Sequence, residues 1–281
     1  MTEPVLTVTS LVKRFGPVVA VDEVSFELMP GACLGIVGES GSGKTTIARV
    51  LAGLERPTSG TVTLAGEVVR DHSRRARRWR ARQLQMIFQD PYGSFDPRQS
   101  IARSIAEPLR LHRPGARERH RARVEELLDQ VGLDARAGAA LPRELSGGQR
   151  QRAAIARALA IEPRVLVLDE AVAALDVSIQ AQILTLLDDL RRGTGIAYVF
   201  VSHDLAVVRH VTDTAIVMRH GRVVERGETG RILRSPQHPY TRLLLDSIPA
   251  PGWDLDRVAR DRRALDPHPA HGESSCSTST T

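Results

Sequence analysis

Gly38-Glu39-Ser40-Gly41-Ser42-Gly43-Lys44-Thr45 meets every fixed position of the phosphate-binding pattern G-x-x-x-x-G-K-[ST]. Its glycines let the backbone turn tightly and aim N–H groups inward as a nest for phosphate oxygens. Lys44 brings a point positive charge for the β- and γ-phosphates, and the Thr45 hydroxyl is a ligand for Mg²⁺. The flanks agree with this reading. Cys33-Leu34-Gly35-Ile36-Val37 is an apolar run that reads as a buried strand entering the loop. Thr46-Ile47-Ala48-Arg49-Val50-Leu51 reads as the helix leaving it, with its positive dipole end toward the anion. Lys13 and Lys44 are the only lysines in an otherwise arginine-using chain. The stretch is a nucleoside triphosphate loop.

Outward from the loop, the other strands read by their patterning. Residues 5–9 and 23–28 alternate as half-buried strands do, with Arg14-Phe15-Gly16 expected in a loop between them. Thr61-Val62-Thr63-Leu64 reads as a strand followed by an Ala65-Gly66 turn. Leu84–Phe88 is a short apolar strand ending at Gln89, placed to reach a ligand at the sheet edge. Arg164–Leu168 lacks alternation, as expected for a parallel strand covered on both faces, and it ends in Asp169-Glu170. In phosphate-loop enzymes the first acid holds Mg²⁺, and a following glutamate is placed to polarise water. Ile196–Val201 is another buried strand, which puts His203 at the same strand-end level. Segments 213–218 and 222–227, split by His220-Gly221, read as a hairpin.

Between residue 100 and about 133 the apolar spacing turns helical, broken at Pro114-Gly115. Leu145-Ser146-Gly147-Gly148-Gln149-Arg150 is a loop with a serine N-cap opening a second amphipathic helix. A second helix N-terminus offered to an anion suggests a second nucleotide contact. The arginines at 70, 74, 75, 77, 78, 80 and 82 around Trp79 read as a solvated helix face rather than a nucleic-acid surface. Residues 235–240 read as a loop, 241–247 as a short helix, and the Ser/Thr/Pro-rich stretch 249–281 as disordered.

The composition, 42% hydrophobic and 26% charged over 281 residues, is that of a soluble chain of one large domain or a domain plus subdomain. No run of 18 apolar residues is present, and the N-terminus lacks a basic-then-apolar leader, so a cytoplasmic location is expected. Cys33 and Cys276 are too few and too far apart for a disulfide framework or a metal cluster.

In this order the pieces resemble the ATP-binding subunit of an ABC transporter, over residues 4–248. The stretch at 145–149 resembles the ABC signature and carries the resemblance. It implies an α/β fold: a phosphate-loop ATPase core with a mostly parallel sheet, an N-terminal antiparallel β subdomain and a helical subdomain inserted at about 90–160. It further implies that Phe15 stacks on adenine, and that Gly38, Glu39, Ser40, Gly41, Ser42, Gly43, Lys44, Thr45 and Thr46 hold ATP. Gln89 becomes the Q-loop glutamine, Ser146, Gly147, Gly148 and Gln149 the signature contacts, and Asp176 the D-loop aspartate. Glu170 and His203 are then catalytic, and Thr45, Gln89 and Asp169 surround Mg²⁺.

Two further stretches, Phe88–Arg98 and Ser235–Leu244 with its His238-Pro239-Tyr240, resemble oligopeptide, dipeptide and nickel importers; the latter belongs to an extension at about 229–248. The implied partners are membrane permease subunits, a second ATP-binding subunit and, through the permease, an extracytoplasmic substrate-binding protein. The implied place is the cytoplasmic membrane face, held peripherally, with no nucleic-acid partner expected. Ala171-Val172 and Ala173 depart from the Pro-Thr and Ser common in the family, without removing a catalytic group. With Cys276 alone beyond the His-Pro-Tyr stretch, no cluster is expected in the tail. The readings set against this one are an ABC ATPase acting on nucleic acid or ribosomes, and a small-molecule kinase.

Overall fold

Apolar runs that lack alternation need cover on both sides, and the computed structural model provides it around a central six-stranded sheet. It describes residues 3–69, 73–89, 93–113 and 115–247. The strands are β1 (Leu6–Phe15), β2 (Val18–Leu28), β3 (Cys33–Val37), β4 (Ser59–Leu64), β5 (Glu67–Val68), β6 (Leu84–Ile87), β7 (Val165–Asp169), β8 (Ala197–Ser202), β9 (Thr214–Arg219) and β10 (Arg222–Glu228). The helices are α1 (Lys44–Ala52), α2 (Arg74–Gln83), α3 (Ile101–His112), α4 (Arg117–Gln130), α5 (Ala135–Ala139), α6 (Gly147–Leu159), α7 (Val177–Thr194), α8 (Leu205–Val211), α9 (Thr229–Arg234) and α10 (Pro239–Asp246).

The six-stranded sheet runs β10-β9-β3-β8-β7-β6, parallel throughout except for the β9–β10 hairpin. A smaller antiparallel sheet runs β2-β1-β4-β5. Successive residues of a strand point to opposite faces, and here they enter two separate cores. Val165, Val167, Val199 and Val201 pack with α1 and the antiparallel sheet. Leu166, Leu168, Tyr198 and Phe200 pack with the helices α3 to α8. The sheet is therefore buried on both faces, as the lack of alternation in β7 and β8 requires.

Several local expectations meet a different outcome. Phe15 is the last residue of β1, so it sits on a strand end rather than in a loop, and 46% of its surface is exposed. Lys13 lies over its ring, 4.5 Å from the centroid. The arginine face of α2 is solvated at Arg74, Arg75, Arg77, Arg78 and Arg82, but Arg80 is buried. Its guanidinium fills the space that a Cβ on Gly53, the C-cap of α1, would take, and burial lowers its pKa. Residues 239 and 240 belong to α10, because Pro239 fits the first turn of a helix and His238 caps it. Arg70, the Asp90-Pro91-Tyr92 portion of the 88–98 stretch and the tail 249–281 lie outside the described residues.

Phe200 is fully buried in β8. Phe200→Ala is expected to cost about 3–5 kcal/mol, the range for an aromatic truncated in a packed core. A lowered urea midpoint at unchanged slope is the check.

Candidate functional site

The loop between β3 and α1 is shaped by what presses on it. A Cβ at position 38 would collide with the Met218 carbonyl oxygen, and one at position 43 with the Ala20 carbonyl oxygen. Gly43 also takes a left-handed conformation (φ 103°) as the N-cap of α1, so both positions require glycine. The Gly221 N–H donates to the Ser42 carbonyl at 3.1 Å, tying the loop to the β9–β10 turn. Lys44 is 4% exposed, and its Nζ donates to the carbonyls of Gly38 (2.8 Å) and Glu39 (2.7 Å). Burial lowers the Lys44 pKa, against the pull of the Glu170 and Asp169 carboxylates.

The C-terminal ends of the parallel strands bring the acids to this loop. Thr45, on the first turn of α1, donates its hydroxyl to Asp169 Oδ1 at 3.1 Å. Asp169 is 5% exposed at the end of β7, and burial raises its pKa despite the Thr45 hydrogen bond. Glu170 follows in a left-handed backbone conformation (φ 48°), with its N–H donating to the Val201 carbonyl. A non-glycine residue held there stores strain on the order of 1 kcal/mol, which is typical of functional sites. Its carboxylate has two partners. Gln89 Nε2 donates to Oε2 at 2.8 Å, and His203 Nδ1 lies 3.2 Å from Oε1. Gln180, Phe200 and Asp204 complete the cleft around Glu170 and His203.

Thr45, Asp169, Glu170, Gln89, His203 and Lys44 thus form one constellation. The oxygens of Thr45 and Asp169 are the hard donors that Mg²⁺ takes, and one or two carboxylates beside substrate phosphates suffice for it. The other predicted residues stand elsewhere. Ser146 caps α6, its Oγ accepting from the Gln149 N–H (3.2 Å) while Gln149 Oε1 accepts from the Ser146 N–H (3.0 Å). Gly147 and Gly148 face Leu175 and Ile179. Asp176 caps α7, accepting from the Ile179 N–H at 2.9 Å. None of these capping bonds reaches the phosphate loop. Phe15 stands at the strand end already described.

Sequence reasoning missed two residues at the site. Gln180 has no local signal. Tyr240 reaches the loop from far along the chain: its hydroxyl accepts from the Glu39 N–H at 3.1 Å.

The model of the ABC transporter family matches residues 21–173, and that of the oligopeptide/dipeptide transporter C-terminal region matches residues 224–277. The chain belongs to the ABC transporter ATP-binding family. It is 46% identical over 266 residues to the di/tripeptide transport ATP-binding protein DppF of Pseudomonas aeruginosa (strain UCBPP-PA14), covering 95% of this chain and 82% of that one. It is 44% identical over 275 residues to the oligopeptide transport ATP-binding protein OppF of Bacillus subtilis (strain 168), covering 95% and 89%. Among solved structures, cbiO1 of Clostridium perfringens aligns with a TM-score of 0.74 at 26% identity, covering 83% of this chain and 96% of that one. The ATP-binding cassette MJ0796, solved as a dimer bound to ADP and Pi, aligns at 0.72 with 29% identity, covering 80% and 98%.

As an ABC transporter ATPase the chain binds and hydrolyses ATP, and the fold expected from its sequence is the one observed. No helix among the described residues is long and apolar enough to cross a membrane.

The raised pKa of Asp169 carries a sign. The folded chain holds the proton more tightly than the unfolded one, so Asp169 lowers nucleotide-free stability above its folded pKa. Asp169→Asn is expected to raise the thermal midpoint of the nucleotide-free chain near neutral pH. That gain should fade as pH falls into the carboxylate range, where Asp169 itself is protonated. Midpoints across a pH series check it.

Proposed function

We propose that this ABC subunit powers import of small peptides through membrane permease subunits, working at the membrane's cytoplasmic face as one of a pair of ATPase subunits. The observation that carries the cargo class is the match to the oligopeptide/dipeptide C-terminal region over 224–277, alongside relatives named for peptide transport across 95% of the chain. An extracytoplasmic binding protein would deliver the peptide to the permease. Nickel and glutathione remain outcomes of the transport assay, since the ATPase does not touch the cargo.

The residues divide the chemistry of ATP hydrolysis between them. The 38–45 loop cradles the phosphates with its backbone N–H groups, and Lys44 exchanges its two carbonyl partners for phosphate oxygens. Thr45 and Asp169, with Gln89 near them, would hold Mg²⁺, which supplies charge neutralisation at the phosphates. Glu170, released from Gln89 and His203, accepts the proton of the attacking water, and His203 then faces the γ-phosphate. Phe15 offers its exposed ring to the adenine. The α6 N-terminus, with Ser146, Gly147, Gly148 and Gln149, closes on the ATP held by the other subunit of the pair, and Asp176 lies at the same interface. Closure on ATP and release after hydrolysis form the two-state element that drives the permease.

Glu170→Gln is expected to keep ATP binding and to lower turnover about 100- to 10,000-fold, the usual worth of a general base. Cells carrying this variant as their only copy should fail to accumulate a radiolabelled tripeptide that the parent strain takes up. Uptake at the parent rate by a variant whose purified form has lost hydrolysis would overturn the transport reading, whereas normal hydrolysis by the purified variant would overturn the role of Glu170.

A further inference from the structure

The C-terminal region reaches the phosphate loop through Tyr240. Tyr240 lies in the first turn of α10, is 1% exposed, and packs in the core on the helical side of the sheet. Its hydroxyl oxygen accepts the Glu39 N–H at 3.1 Å. The carbonyl on the other side of that same peptide group is that of Gly38, which accepts from Lys44 Nζ at 2.8 Å. A peptide group is planar, so fixing its N–H direction fixes its carbonyl direction. The hydroxyl of Tyr240 and the ammonium of Lys44 therefore hold opposite edges of one rigid plate.

The tyrosine is itself held from both sides. The Arg219 guanidinium, at the end of β9, lies 5.0 Å from the ring centroid. The α10 N-terminus is anchored by Glu225 of β10, whose carboxylate accepts the N–H groups of Gln237 (2.8 Å) and His238 (3.1 Å). His238 Nδ1 in turn accepts the Tyr240 N–H at 3.1 Å. One turn further along the loop, Gly221 of the β9–β10 turn donates to the Ser42 carbonyl. The chain from β9 to α10 thus braces the loop at Glu39 and Ser42, and Met218 closes on Gly38 beside them.

We propose that Tyr240 is a positioning residue for nucleotide binding, its hydroxyl fixing the Gly38–Glu39 peptide and through it the resting place of Lys44. Without the hydroxyl that peptide keeps only its Lys44 edge, and part of the entropy of ordering the loop falls on the bound nucleotide. Once phosphate oxygens occupy the nest they hold the same backbone themselves. Tyr240 therefore acts on affinity more than on turnover. The proposal rests on the reading of residues 38–45 as the ATP site, but not on the cargo.

Tyr240→Phe removes the hydroxyl and keeps the ring, its burial and its contact with Arg219. The experiment uses the purified full chain without permease and follows binding of a fluorescent ATP analogue, with steady-state hydrolysis alongside. The expected result is a Kd and KM raised about 3- to 10-fold, the worth of one hydrogen bond, with kcat within about twofold. Amide hydrogen exchange in the nucleotide-free state should quicken in a peptide covering 38–44 and stay unchanged in β7 and β8. A variant that melts earlier but binds ATP as the parent does would show a purely structural tyrosine and overturn the proposal. Unchanged exchange in the loop would overturn it as well. Failure of the parent chain itself to bind ATP would instead refute the loop reading, which keeps the two failures apart.

Discussion

Everything at the site depends on how closely other backbone approaches the phosphate loop. The carbonyl oxygens of Met218 and Ala20 occupy the space where side chains at 38 and 43 would begin. Met218 belongs to the parallel sheet and Ala20 to the antiparallel one, so the loop is clasped where the two sheets meet. Arg222 and Asp22 join the same two sheets with an ion pair at 2.6 Å. A nest of N–H groups has no side chains of its own to hold it, and its shape comes from this enclosure.

Enclosure also sets the electrostatics. Lys44 and Asp169 are both nearly out of water, and burial pushes each toward its neutral form. Each carries hydrogen bonds that offset part of that cost: two loop carbonyls for the ammonium and the Thr45 hydroxyl for the carboxylate. Glu170 and His203, at the same strand ends, are more open.

The parts legible in the sequence are those in which local pattern and chemistry coincide. The phosphate loop, the unalternating β7 with its two acids, the strand before His203 and the serine cap of α6 each carry their signal within about ten residues. The doubly covered sheet followed from β7 and β8 alone. What escaped is long-range. The contact between Glu39 and Tyr240 spans 201 residues and follows no period in either segment. Arg80 looks like its exposed neighbours in α2, and its burial depends on the missing Cβ of Gly53. Phe15 reads as a loop residue because it lies between the alternating segments 5–9 and 23–28, but β1 runs on to it by pairing Phe15 with Val18. The caps at Ser146 and Asp176 were legible as local chemistry, and each closes on the first turn of its own helix.

The central sheet divides the interior into two cores that share backbone but few side chains. Residues 165, 167, 199 and 201 answer to the nucleotide side, and residues 166, 168, 198 and 200 to the helical side. Changes on opposite sides of such a partition add with little coupling, because they share no packing partners. A substitution in one core can therefore be absorbed there while the other keeps its packing, with Tyr240, packed on the helical side yet bonded to Glu39, as a link between them.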